Sequence, residues 1–142
     1  MIEVVNRQRH RKINLHVWER FSAQALEAIG AQHGDVTVAF ISSRRMRQLN
    51  KRFRGIDKAT DVLSFPAEEP SGFPSSGGSD LGEVVLAVEQ AEMQARENGL
   101  KFNEEVAQLI LHGLLHLCGY DHETDKGEMN RLELRLRKQL GI

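Results

Sequence analysis

A single cysteine among 142 residues excludes an internal disulfide and fits a reducing compartment. Only three prolines and one tryptophan are present, so neither a proline-rich linker nor an aromatic-rich surface organises the chain. No apolar stretch approaches the length of a membrane span, and the first residues show no signal-peptide run, which makes a cytoplasmic location the expectation. A formal net charge of −1 gives no global attraction to nucleic acid. Apolar content of 40% and charged content of 27% are those of a folded protein, and the length suits one domain, residues 1–142, with a real core.

The near-zero net charge conceals a segregated distribution. Seven basic residues fall between Arg44 and Lys58, with Asp57 the only acid among them. Arg7, Arg9, Arg11 and Lys12 form a second basic group, while acids such as Glu83, Glu89, Glu92 and Glu97 gather later. A bipolar chain can bind a polyanion on one face; a merely solvated charged face has the same composition.

Hydrophobic periodicity gives the elements. Ile2 to Val5 reads as a short strand. Asn14 caps a helix from Leu15 to about Ile29, with Trp18, Phe21, Ala25 and Leu26 on one stripe. Asp35 to Ile41 alternates as a strand with Val36, Val38 and Phe40 inward. Ser42 or Ser43 caps a basic helix from Arg44 to about Phe53, anchored by Met46 and Leu49. Asp61 to Phe65 is a strand stopped by Pro66. Pro70 to Asp80 is a Gly/Ser-rich loop in which Phe73 is an anchor or a substrate contact. Gly82 to Val88 is a strand, and Glu89 to Asn98 a helix ended by Gly99. A helix beginning near Asn103 runs to Cys118, and Asp125 to Leu140 is a last amphipathic helix with Met129, Leu132, Leu134 and Leu136. The fold class is α/β (α+β): a small mixed β-sheet covered by helices.

Within the segment Val106 to Cys118 the polar side chains are Gln108, His112 and His116. A helix so apolar is buried. His112 and His116 stand at i and i+4, on one face and about 6 Å apart along the axis. Gly119 suits the left-handed residue that ends a helix, after which His122 can return to the same point. One histidine in a core helix is ordinarily a hydrogen-bonded core residue. Two at this spacing, with a third behind a glycine, instead make three imidazoles with an open fourth position, a catalytic-type zinc arrangement on a buried helix and the loop after it. Cys118 lies about 200° round the helix from His116 and reads as core. The spacing is that of H-E-x-x-H-x-x-G-x-x-H, except that Gly113 replaces the glutamate used by zinc proteases as general base. A metalloprotease and a purely structural zinc domain remain alternatives; the first lacks its base and the second lacks an evident fourth ligand.

Three stretches carry a family resemblance: Leu49-Asn50 and Phe53-Arg54 followed by Thr60-Asp-Val-Leu-Ser-Phe-Pro66; Leu81-Gly-Glu-Val-Val85; and His112-Gly-Leu-Leu-His-Leu-Cys-Gly-Tyr-Asp-His122. Together they resemble the YbeY family, bacterial endoribonucleases also called rRNA maturation factors. The resemblance implies one zinc ion per chain on His112, His116 and His122, and a functional arginine at Arg54. It implies a single-strand-specific endoribonuclease in 16S rRNA 3′-end maturation and late ribosome quality control, with RNA and the small ribosomal subunit with its associated factors as partners and no membrane. His112, His116 and Arg54 are then the candidate catalytic residues. Read without the resemblance, Arg54 is one more solvated arginine. Asp121 can orient a ligand histidine or serve a turn, and Thr60, Asp61 and Ser64 are expected to serve the strand and its turns.

Overall fold

A computed structural model describes residues 1–67, 80–121 and 123–142. The order is β1 (Ile2–Asn6), α1 (Leu15–Ile29), β2 (Asp35–Ile41), α2 (Ser43–Arg54), β3 (Val62–Pro66), β4 (Asp80–Ala87), α3 (Val88–Glu97), α4 (Phe102–Leu117) and α5 (Glu128–Leu140). The strands form one mixed sheet, ordered β1-β2-β4-β3. β1 and β4 both run parallel to β2, while β3 is an antiparallel edge strand on β4. Pro66, which has no amide hydrogen to donate, is therefore tolerated as the last residue of β3. The α/β expectation holds.

Alternation along the strands divides the sheet's two faces. Val38 pairs with Val84 and Phe40 with Leu86, and these four are completely or almost completely buried beneath α1, α4 and α5. Trp18 and Leu26 of α1, Ile110 and Leu114 of α4, and Met129 and Leu136 of α5 close that core. The next residues, Ala39, Val85 and Leu63, face the other way into a smaller cluster completed by Ile41, Ala87 and Met46 of α2. Val88 and Ala91 of α3 join the same core as α1, α4 and α5, so four helices contribute to one face and chiefly one short helix covers the other.

Capping explains the boundaries. Asn14 accepts from the Val17 amide and Ser42 from the Arg45 amide, which decides between Ser42 and Ser43. Glu104 reaches back to the Lys101 amide and starts α4 one residue earlier than expected. The last helix starts later, at Glu128, with Gly127 as its N-cap, because Asp125 accepts from the Gly127 and Met129 amides in the turn ahead of it rather than joining it. Leu134, expected on the apolar stripe of that helix, is 53% exposed. Phe73 lies outside the described residues.

Candidate metal centre and phosphate-binding cleft

α4 crosses β3 and β4 and touches α1, α3 and α5. Ten of its sixteen residues are buried, which fixes its rotation about its own axis. Gly113 faces the sheet. A Cβ there would stand 2.7 Å from Val84 Cγ1 and 3.1 Å from Ser64 Oγ, so helix and sheet approach too closely for any side chain. The Ser64 hydroxyl donates to the Gly113 carbonyl at 2.9 Å, so Ser64 fastens the helix to the edge strand instead of serving β3 alone. The protease glutamate is absent for a steric reason as well as a chemical one.

His112 and His116 line the cleft beside this contact, which Ser64 also borders. Their Nε2 atoms lie 3.1 Å apart, with the rings nearly perpendicular at 79°. On the far side of His112, Nδ1 meets Glu133 Oε1 of α5 at 2.7 Å, and Glu133 Oε2 accepts from Arg137 at 2.7 Å. An ionised carboxylate only accepts, so His112 Nδ1 donates to Glu133 and Nε2 is the ring atom that faces His116. Burial works against the Glu133 charge, but the hydrogen bond and charge of His112 together with Arg137 hold its carboxyl below the ordinary glutamate range.

This donor pair fits a divalent ion. Two nitrogens on one tetrahedral zinc, each at about 2.0–2.1 Å, stand roughly 3.3 Å apart, close to the separation found. Among the described residues no group of three His, Cys, Asp or Glu side chains gathers to hold a metal. The expected third ligand, His122, lies outside the described residues. Gly119 has the expected left-handed conformation, with φ +97°, and its amide donates to the His116 carbonyl, so the chain does turn after α4. Cys118 is half-buried, and burial pushes its thiol pKa up.

The histidine pair opens into a cleft of about 940 Å³, lined also by Arg54, Thr60, Asp61, Ser64, Tyr120, Glu133 and Arg137. Arg54 reaches it because α2 stops there: Gly55 adopts φ +71° and its amide donates to Lys51 O. The buried Asn50 side chain then donates to Lys58 O at 2.8 Å, holding the outgoing loop against the helix. Arg47 is engaged by Asp57 through two hydrogen bonds of 2.7 and 3.2 Å, whereas Arg54 is exposed at the cleft.

Sequence reasoning brought His112, His116 and Arg54 to one cleft but missed Glu133. Asp121, weighed for orienting a histidine or serving a turn, accepts from the Glu123 amide in the turn. A signal for Glu133 existed: it falls within the stripe formed by Met129, Leu132, Leu136 and Leu140, where an acid needs a partner. Asp61, as expected, serves its strand, accepting from the Val62 amide.

A family model described as Endoribonuclease YbeY matches residues 3–141. The chain belongs to that family. Relatives named Endoribonuclease YbeY include one from Nautilia profundicola, 44% identical over 108 residues, covering 76% of this chain and 73% of the relative. Another, from Aquifex aeolicus, is 42% identical over 120 residues, covering 84% and 77%. A solution structure of a Thermotoga maritima protein matches 99% of this chain and 89% of its own, with a TM-score of 0.65 at 28% identity. The family is one of metal-dependent hydrolases acting on RNA phosphodiester bonds. Among the described residues, no helix is long and apolar enough to cross a membrane.

Proposed function

We propose that this chain, as a single domain over residues 1–142, is a zinc-dependent, single-strand-specific endoribonuclease of the cytoplasm. Its place is 16S rRNA 3′-end maturation and late ribosome quality control, on or near the small ribosomal subunit. Family membership supports the reaction class. The observation that carries the chemistry is the His112–His116 pair, Nε2 to Nε2 at 3.1 Å, backed by Glu133 and opening into the cleft that Arg54 borders.

His112, His116 and His122 would hold the ion. When bound, zinc supplies a Lewis acid that lowers the pKa of water and polarises a phosphoryl oxygen. The protein's own share is positional and electrostatic. Glu133 fixes the tautomer and orientation of His112. Arg54 offers two parallel N–H donors to the scissile phosphate and offsets the charge that grows in the transition state. Lysine cannot reproduce that fork. With Gly113 packed on Val84, a peptide substrate finds no glutamate base at the protease position.

Metal analysis followed by RNA and peptide cleavage assays on one preparation tests the reading. The expected result is one equivalent of zinc, cleavage of single-stranded RNA and no peptidase activity. Single His112→Ala, His116→Ala and His122→Ala proteins should each lose most of the metal. Full zinc retention in all three, or peptidase activity without ribonuclease activity, overturns it.

A further inference from the structure

The sheet face under α2 carries a second groove, of about 510 Å³, away from the histidine pair. Its apolar lining is buried Ala39, Ile41 and Val85, and beside it stand exposed Arg7 and Arg45. Phe53 borders it and is 57% exposed, an unusual position for so large an apolar ring, here between Arg52 and Arg54 in sequence. The ring is held in place. Phe65 of β3 meets it in a T-shaped contact with centroids 5.2 Å apart, and the Arg52 guanidinium lies 5.2 Å from its centroid.

A fixed, accessible aromatic ring flanked by arginines is what a single-stranded nucleic acid uses as a platform: the ring stacks a base and the guanidinium groups meet phosphates. Glu83, the acid in the groove, can only accept, so it would meet N–H groups of a base and leave phosphates to Arg7 and Arg45. Connectivity relates the groove to the reaction. Phe53 and Arg54 are consecutive in the last turn of α2, yet Phe53 borders this groove and Arg54 the histidine cleft, with edge strand β3 between the two faces.

We propose that Phe53 is a base-stacking subsite for single-stranded RNA, with Arg7 and Arg45 holding the adjoining phosphates, so that a strand cut in the cleft continues round β3 into this groove. The proposal rests on the endoribonuclease reading and adds to it a binding site remote from the metal. The positive charge at the groove favours RNA over an apolar peptide or a second copy of the chain.

The test mixes full-length, metal-loaded protein with a single-stranded RNA carrying 2-aminopurine at successive positions, read by stopped-flow fluorescence before cleavage. One position should be quenched on binding. Phe53→Leu should abolish that quench and weaken binding roughly tenfold, while Phe53→Trp retains both. An RNA abasic at that position should bind the Phe53→Leu and unmutated proteins equally. Cleavage by the unmutated protein, with quench and affinity unchanged in folded Phe53→Leu, overturns the subsite and leaves the enzyme reading standing. No RNA binding or cleavage by the unmutated protein overturns both. A dimer that Phe53→Leu dissociates makes the groove an interface between copies and overturns the proposal.

Discussion

Helices α2 and α4 pack on opposite faces of the sheet and are built in opposite ways. α4 buries ten of sixteen residues, and its two histidines are half-buried in a wall whose position is set by the core. α2 buries only Met46 and Asn50 of its twelve, leaving its arginines and lysine in solvent. The tasks proposed for the two helices account for the difference in packing. Metal ligands must be placed to a fraction of an ångström, which requires a helix locked by neighbours and a carboxylate behind the ring. Charge that gathers a flexible polyanion works through solvent and needs no such locking.

Arg54 tests that division most severely, since it sits on the loosely packed helix yet is assigned to the reaction. Arg54→Ala should keep the fold and the metal but lose RNA cleavage by roughly 10²-fold or more, the scale for a group that acts on the transition state. Arg54→Lys should recover only part. Metal content and cleavage measured on the same samples decide the matter. Loss of metal as well would make Arg54 structural, and full cleavage by the metal-loaded Ala protein would remove it from the reaction.

Glu133 probes the other side of the comparison. Glu133→Gln leaves His112 in place but offers an amide where a carboxylate stood 2.7 Å from Nδ1. Metal affinity should fall about 10- to 100-fold, measured by competition against a chelator, while RNA binding at saturating metal stays as it was. An unchanged metal affinity would show that packing alone orients the ring.

The same contrast governs what the sequence made legible. α4 was readable because its information is local: an apolar run broken only by Gln108, His112 and His116, two histidines at i and i+4, and a glycine where the helix must stop. The strands were readable by alternation, and Val38 and Phe40 face inward as expected. Glu133 was missed because its partner lies 21 residues away on another helix, and only tertiary packing brings α5 beside α4. Ser64 was misjudged for a related reason. Its hydroxyl looks like a strand residue's until α4 comes close enough for the Gly113 carbonyl to accept from it. Where a helix ends was legible from glycine; which face of a basic helix meets a groove was not, because exposed arginines carry no periodic signature of their partners.

The smallest expected effect concerns the exposed charges of α2. Arg47 is already held by Asp57, whose carboxyl the hydrogen bonds from Arg47 keep below the ordinary aspartate range, so it contributes little to a phosphate. Arg45, Lys51 and Arg52 are exposed; Arg45 donates to Gln48 at 3.1 Å, and the Arg52 guanidinium lies 5.2 Å from the Phe53 ring centroid. Each phosphate contact on a single strand releases counterions and adds roughly 0.7 to the steepness with which log affinity falls against log salt. Replacing all three by Gln should therefore flatten that slope by about 2 if each meets a phosphate, measured by RNA titration at several salt concentrations. Metal content and thermal stability should hardly move, since substitutions at exposed positions usually stay within about 0.5 kcal/mol. A slope flattened by about 0.7 would leave one of the three in contact. An unchanged slope would move the RNA path off α2 altogether, and with it the idea that this face of the sheet gathers the strand that α4 is built to cut.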